Sequence, residues 1–476
     1  MRTIANVIAA AACMLMIAAP AAFGAEENDE LAEMRAMVEQ LKGQVEAQSE
    51  QIEHQGEVIE KARLEQAARS DTRFGASGIS AFLQRLEVEG WVAGSYFWNF
   101  NNPGSEEMIG GNTGGSGLSY PFHQNYNNFQ VDQVWFGIEH PVDAENRAGF
   151  RFDAVYGNTG CTQGDALTTY SFVENCRVGV HSLERDESNW GNNTSELYVH
   201  QAYVQYLAPI TENGIHVKAG KFGTLIGAEV MQTTGNFNIT RGALYNLLQP
   251  IDHVGVLAST EFGDSGWSAA FGVMNSNFLG DPDNNMTKSI TGQLGWSGET
   301  VGVTTSIVWG GDNTQTNGDK SGIWDTVVTW DPTENLSTWM NFDWAWTNGN
   351  GKFSADREDA HAWGIATAAR YAVTERMGVS ARYEFVKDHK AFLGFQNPSD
   401  VFDPGGYFDG GDPKTSRIHT ITGTVDYALT SNLMLRGEVR YDTITKRNSN
   451  DNEFFDNGVD YRPDQVTSGV EIIYEF

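Results

Sequence analysis

The chain ends Thr467-Ser468-Gly469-Val470-Glu471-Ile472-Ile473-Tyr474-Glu475-Phe476. Counting back from the end, every second side chain is apolar: Phe476, Tyr474, Ile472, Val470. The intervening set is mixed and holds Glu475 and Glu471. Successive side chains of a strand point to opposite faces, so this stretch has one apolar face and one wet face. A strand that ends a chain leaves an open edge, and lipid offers that edge no hydrogen bonds. The stretch therefore reads as the closing strand of a transmembrane β-barrel, paired back onto a first strand near residues 88–100.

Alternation of the same kind recurs through the preceding chain. Strands are expected near 86–101, 129–139, 147–157, 197–207, 214–222, 252–262, 266–275, 288–297, 300–310, 322–331, 335–347, 361–372, 376–387, 417–428, 432–444 and 467–476. The fold expected is all-β, an antiparallel barrel of about sixteen strands, the even number bacterial barrels use. Connections alternate between short and long. Short ones cover 140–146, 208–213, 263–265, 331–334, 373–375 and 429–431; long ones cover 102–128, 158–196, 223–251, 388–416 and 446–466. Such barrels keep short turns on the periplasmic side and long loops outside, which places both chain ends in the periplasm. Trp324, Thr326, Val328 and Trp330 share one face of a strand, an apolar face with an aromatic at each end. Leu336, Met340, Phe342, Trp344 and Trp346 share another, with Asn341 and Asp343 opposite. Val379, Ala381, Tyr383 and Phe385 oppose Arg382 and Glu384, and Leu433, Leu435, Val439 and Tyr441 oppose Arg436, Glu438, Arg440 and Asp442. A soluble β-protein burying its apolar face in a core is the competing reading.

Composition agrees with a barrel. Mean hydropathy is −0.38, which excludes a helical membrane protein but not a barrel that offers lipid alternate residues only. The single long apolar run, 4–23, follows Arg2 and ends in small residues, so 1–24 reads as a secretory signal peptide. The net charge is −31, and removal of that segment makes it one unit more negative. Nucleic acid is excluded as a partner, because its binding relies on Lys and Arg at phosphates.

Residues 29–66 follow another rule. Leu31, Val38, Val45, Ile52 and Ile59 recur every seven residues, with Met34, Leu41, Gln48, Gln55 and Ala62 at the second heptad position. The pattern predicts an N-terminal α-helical coiled coil about 50 Å long in the periplasm. Its seam implies oligomerisation. The heptads do not choose between two and three strands; a homotrimer is the expectation. A solvated single helix or a linker is the alternative. Residues 67–85 read as a linker and 86–476 as the outer-membrane barrel. Cys161 and Cys176, in one expected loop of an exported chain, predict a disulfide, with two free thiols as the alternative.

Several stretches resemble the OmpL-like β-barrel porin family: 90–101, 128–143 (NFQVDQVWFGIEHPVD), 149–157 (GFRFDAVYG) and, most densely, 217–258 with VKAGKFGTLIGAEV, NFNITR and QPIDHVGVLA. The terminal aromatic also resembles the C-terminal signature of bacterial outer-membrane proteins. The resemblance covers the first half of the barrel; the second half matches only in pattern. It implies an outer-membrane channel and brings no catalytic residues.

The 223–251 connection follows the fifth strand, as the inward-folding loop of general porins does. Leu225, Ile226, Val230, Met231, Phe237, Ile239, Leu244, Tyr245, Leu247 and Leu248 make it too apolar for an outside loop. Packing inside the barrel is expected, where it would narrow the lumen. Lys218, Lys221, Glu229, Arg241 and His253 are expected at or near this constriction. Asp343, Arg382, Glu384, Arg436, Glu438 and Arg440 are expected to line the pore. The alternative makes the first five ordinary rim or turn residues.

No HExxH, GxSxG or P-loop motif occurs, and no cofactor is expected. The acidic stretches Asp281-Pro282-Asp283-Asn284 and Asp409-Gly410-Gly411-Asp412 could hold Ca²⁺, but neither has a full calcium-loop spacing, and turn chemistry explains them as well. Two functions compete: a porin for passive diffusion of ions and small hydrophilic solutes, with a modest cation preference, and a structural protein tethering the membrane to the cell wall through the coiled coil.

Overall fold

The computed structural model describes residues 83–102, 122–123, 127–160, 197–276, 286–311, 320–347, 360–389, 416–446, 455–456 and 461–476. The expected signal peptide, the coiled coil, the linker as far as residue 82, both loop cysteines and both acidic stretches lie outside these residues. The chain divides into two units, Met1–Gln84 and Arg85–Phe476, and the second is a barrel.

Its strands are β1 (Glu87–Asn99), β2 (Asn128–His140), β3 (Ala148–Tyr156), β4 (Leu197–Ala208), β5 (Ile215–Gly223), β6 (Asp252–Glu261), β7 (Trp267–Met274) and β8 (Ser289–Ser297). They continue as β9 (Val301–Gly311), β10 (Lys320–Thr333), β11 (Leu336–Thr347), β12 (His361–Ala372), β13 (Met377–His389), β14 (Ser416–Ala428) and β15 (Leu433–Lys446). A two-stranded hairpin, β16 (Phe455–Asp456) with β17 (Tyr461–Arg462), precedes the last strand, β18 (Asp464–Glu475). β1 to β15 and β18 form a closed antiparallel barrel of sixteen strands, each bonded to its sequence neighbour. The hairpin lies in the last long connection and was not expected, because two-residue strands carry no alternation to read. β18 begins three residues before the expected 467.

Closure is made where the terminal alternation predicts it. β18 pairs with β1 from Trp91↔Glu475 to Asn99↔Thr467. Gly90 N donates to Phe476 O at 3.2 Å and Phe476 N to Gly90 O at 2.9 Å. The Phe476 ring lies over Gly90, where a Cβ would stand 2.4 Å from the ring tip and 2.9 Å from Trp135 O, so a larger residue there would displace the ring.

The two faces separate as alternation requires. Outward side chains are large and apolar, among them Val470, Ile472, Val439 and Ile421. Near the short turns they end in Tyr206, Trp267, Trp296, Trp330, Tyr371, Tyr427 and Tyr474, all exposed; toward the long loops they end in Tyr156, Trp309, Trp324 and Trp344. Two aromatic bands around an apolar belt are the mark of a barrel in a bilayer. Inward side chains are largely polar: Asp325, Asn341, Asp343, Arg382, Glu384, Arg436, Glu438, Arg440 and Glu471 are all buried. Three register shifts interrupt the ladders among the described residues, at Ala93/Gly94 between β1 and β2, at Asp153/Ala154 between β3 and β4, and at Trp330/Thr333 beside the β10–β11 turn. The first leaves the consecutive residues Asp132 and Gln133 both buried.

Candidate functional site

The segment after β5 contains a 3-10 turn at Thr233–Gly235 and one short helix, α1 (Ala243–Leu247). It packs against the inner wall. Ile226, Ala243, Leu244, Leu247 and Leu248 form one cluster with Tyr203, Phe222, Leu257, Val308, Ile323, Ala345, Val386, Ile418 and Ile444. Those wall residues come from strands on many sides of the barrel. Met231 and Tyr245 join a second cluster with Trp91, Trp135, Val155 and Ile473. Ile239 is fully buried as well, whereas Val230 is 40% exposed and departs from the expected burial.

Polar contacts fix the segment to β13, β14, β15 and β18. Glu438 Oε2 accepts from Ile239 N at 2.6 Å and its Oε1 from Thr240 N at 3.2 Å. Thr240 Oγ1 and Thr424 Oγ1 donate to the same carboxylate at 2.5 and 2.8 Å. Arg382 Nη1 donates to Glu229 Oε1 and to Thr240 O, both at 2.6 Å, while its Nε pairs with Glu384 at 3.2 Å. Glu384 also accepts from Leu244 N at 3.2 Å and Thr420 Oγ1 at 2.6 Å. Arg440 Nη1 donates to Arg241 O at 2.9 Å and its Nε to Asp442 at 2.8 Å. Arg436 donates to Thr233 O at 2.8 Å and pairs with Glu471 at 3.3 Å; Thr233 Oγ1 closes that loop on Glu471 at 2.9 Å. A backbone N–H held by a carboxylate, or a carbonyl by a guanidinium, is a charge-assisted bond and stronger than a neutral one.

Within the segment, Glu229 accepts from Gly242 N at 2.6 Å. Gly242 runs so close to the wall that a Cβ would stand 2.1 Å from Glu384 Oε1. Arg241 turns back on its own segment, donating to Ile239 O at 2.8 Å, to Val230 O at 3.1 Å and to Met231 O, with its guanidinium over the Phe122 ring.

Glu229, Arg241, Arg382, Glu384, Arg436, Glu438 and Arg440 therefore meet in one buried network. Asp343 lies on another part of the wall and accepts from Gln249 Nε2 at 2.8 Å, near the end of the same segment. His253 bonds Thr224 Oγ1 at 3.2 Å, and Lys221 donates to Tyr198 at 3.0 Å beside Asp252. Lys218 stands apart: it is half-buried with its ammonium over the Tyr203 ring at 4.8 Å. The expectation grouped these residues by charge alone. The neutral half of the network (Gln133, Thr233, Asn238, Thr240, Thr420, Thr422, Thr424) was missed. The only signal for it was the inward run Thr420, Thr422, Thr424 on β14.

A second charged group occupies the wall toward the short turns. Arg151 bonds Asp153 and Glu139 at 2.8 Å each and also Glu89. No part of the 224–251 segment is in these pairs. Among the described residues no group of His, Cys, Asp and Glu could hold a metal ion.

No curated protein matches the chain in sequence. Solved structures of similar form include an anion-selective porin from Comamonas acidovorans, at 11% identity and TM-score 0.49 over 82% of this chain and 99% of that one. Pseudomonas putida OprB is similar at 11% identity and TM-score 0.49, over 85% of this chain and 97% of that one. In-vitro folded OmpT, an outer membrane protein of Vibrio cholerae, is similar at 12% identity and TM-score 0.48, over 82% and 97%. The family model described as "Putative beta-barrel porin-2, OmpL-like" matches residues 85–476, which is the whole barrel, and the chain belongs to that family.

Proposed function

We propose that the protein is a passive outer-membrane porin, a channel rather than an enzyme, in which the 224–251 segment forms the constriction. The observation that carries the reading is the buried network by which Glu438, Arg382, Glu384, Arg436 and Arg440 hold that segment against the inner wall. A wall holding a peptide by charge-assisted bonds fixes the size of whatever opening is left. Because those charges are engaged, selectivity falls to the less buried ones: Glu89, Glu139, Arg151 and Lys218. Two acids and two bases balance there, so a modest cation preference rests on the chain's net charge of −31.

Purified protein in a planar bilayer should give discrete conductance steps, and deletion of residues 233–243 should enlarge them severalfold. An unchanged step size would remove the constriction; reversal potentials showing anion preference would remove the selectivity.

The second reading is a closed barrel that tethers the membrane. The depth of packing of Leu244, Leu247 and Leu248 inside the barrel favours it, and it requires that the intact protein conduct nothing. Export by the 1–24 signal, a periplasmic coiled coil over 29–66 that joins three copies, attachment to the cell wall and a Cys161–Cys176 disulfide complete the proposal. The heptads and the export signal support these parts.

A further inference from the structure

The outer face of β11 to β15 carries a feature that neither a channel nor a tether uses. One row across these strands is set by register: Trp344↔Trp363, Trp363↔Lys387, Lys387↔Arg417, Arg417↔Thr445. All five alternate with buried inward residues: Ala345, Ala362, Val386, Asp388, Ile418 and Ile444. Lys387 and Arg417 thus stand directly opposite each other on the lipid-facing wall. Like charges in that relation destabilise a strand pair. Neither makes an ion pair with any described residue, and no carboxylate shares the row. Two positions toward the long loops, the rings of His361 and His389 lie 4.5 Å apart; two positions the other way, His419 meets Tyr383 Oη at 3.0 Å. In a chain of net charge −31, a cationic row at the level of an aromatic band calls for an anion. Beside the cations, Phe342, Trp344, His361 and Trp363 line an outward groove of about 390 Å³.

We infer that this face binds the phosphorylated headgroup of a membrane lipid, with the phosphate between Lys387 and Arg417 and an acyl chain along the Phe342–Trp344–Trp363 groove. The phosphate converts a repulsive cross-strand pair into two charge-assisted contacts. A guanidinium and an ammonium suit it differently: Arg417 as a two-pronged donor, Lys387 as a point charge. The groove accounts for the lipid rather than a free anion, since inorganic phosphate has nothing to place there. The site requires only that the barrel's outer face meet a bilayer. A barrel that conducts nothing would leave it standing.

The test is native mass spectrometry of the full-length mature protein in detergent, with added bis-phosphorylated lipid A, the same lipid stripped of phosphate, or inorganic phosphate. The expected result is at least tenfold preference for the phosphorylated lipid over the stripped one, lost in the Lys387→Gln/Arg417→Gln variant and reduced in Arg417→Gln alone. Trp363→Ala should weaken both lipids and keep the preference. In lipid-free detergent the double variant should melt no lower than the parent, because it loses a repulsion. Equal retention of the stripped lipid, an unaffected double variant, or displacement of the lipid by an equal concentration of inorganic phosphate would each overturn the proposal.

Discussion

Two parts of the inner wall carry similar residues and use them differently. On β13 to β15, Arg382, Glu384, Arg436, Glu438 and Arg440 are at most 3% exposed and bond the backbone of the inserted segment. On β3 and β5, Arg151 and Lys218 stay half-buried, and the described contacts of Arg151 are to neighbouring wall carboxylates. Alternation puts charge on the inner face of both. What separates them is whether a peptide with free N–H and C=O groups lies within reach. An inward charge is therefore a fastening where the segment docks, and pairs with its wall neighbours where it does not.

The comparison is strained most by Arg382→Met. Removing the guanidinium leaves Glu229 and Glu384 buried without their partner, a loss of about 3–5 kcal/mol. Hydrogen exchange should lose its protection over residues 236–244 while the barrel strands keep theirs. Retained protection there would mean that the apolar cluster alone holds the segment. Glu438→Gln is milder: the amide oxygen still accepts one backbone N–H, so about 1–3 kcal/mol is expected, with partial loss of protection centred on Ile239 and Thr240.

On the other wall, Lys218→Met should change stability by only about 0.5 kcal/mol, the worth of an accessible cation–π contact. Its effect should appear in reversal potential, moved toward cations because one lumenal positive charge is gone. Movement toward anions would show that this wall does not set the field.

The smallest effect is expected outside the membrane, in the turn between β2 and β3. The N–H groups of Asn146 and Glu145 donate to Asp143 at 2.6 and 2.7 Å and hold its carboxyl below the usual carboxylate range. Its contribution to turn order is present above about pH 3.9, the ordinary aspartate value. It fades as pH falls through the lower folded value. Amide chemical shifts of 143–146 should follow that titration in the parent and stay flat in Asp143→Asn. A variant that titrates like the parent would assign the change to another group.

The sequence was legible where one residue type repeats at a fixed period. Val470, Ile472, Tyr474 and Phe476 announce both a strand and its outward face, and the same rule locates all sixteen barrel strands. The burial of Ile226, Leu244, Leu247 and Leu248 was legible because a loop that apolar has no stable place in water. The bulges beside Gly94 and Asp153 were not, since one extra residue leaves composition unchanged. Nor was the partnership of Glu438 with Ile239 and Thr240, about two hundred positions away by chain count. Backbone donors have no sequence signature, and Thr424 looks the same whether it fastens a loop or meets water.

The most direct test of the docked segment is a crosslink. Asn238 Nδ2 donates to Thr424 Oγ1 at 2.7 Å, joining the segment to the inner face of β14. With Cys161 and Cys176 replaced by serine, Asn238→Cys and Thr424→Cys should be joined in intact outer membranes by a short thiol-specific crosslinker. The product would be one closed loop of chain, seen as a shift on a denaturing gel. Two separately reactive thiols with no joined product would place the segment outside the barrel and contradict its docking on that wall.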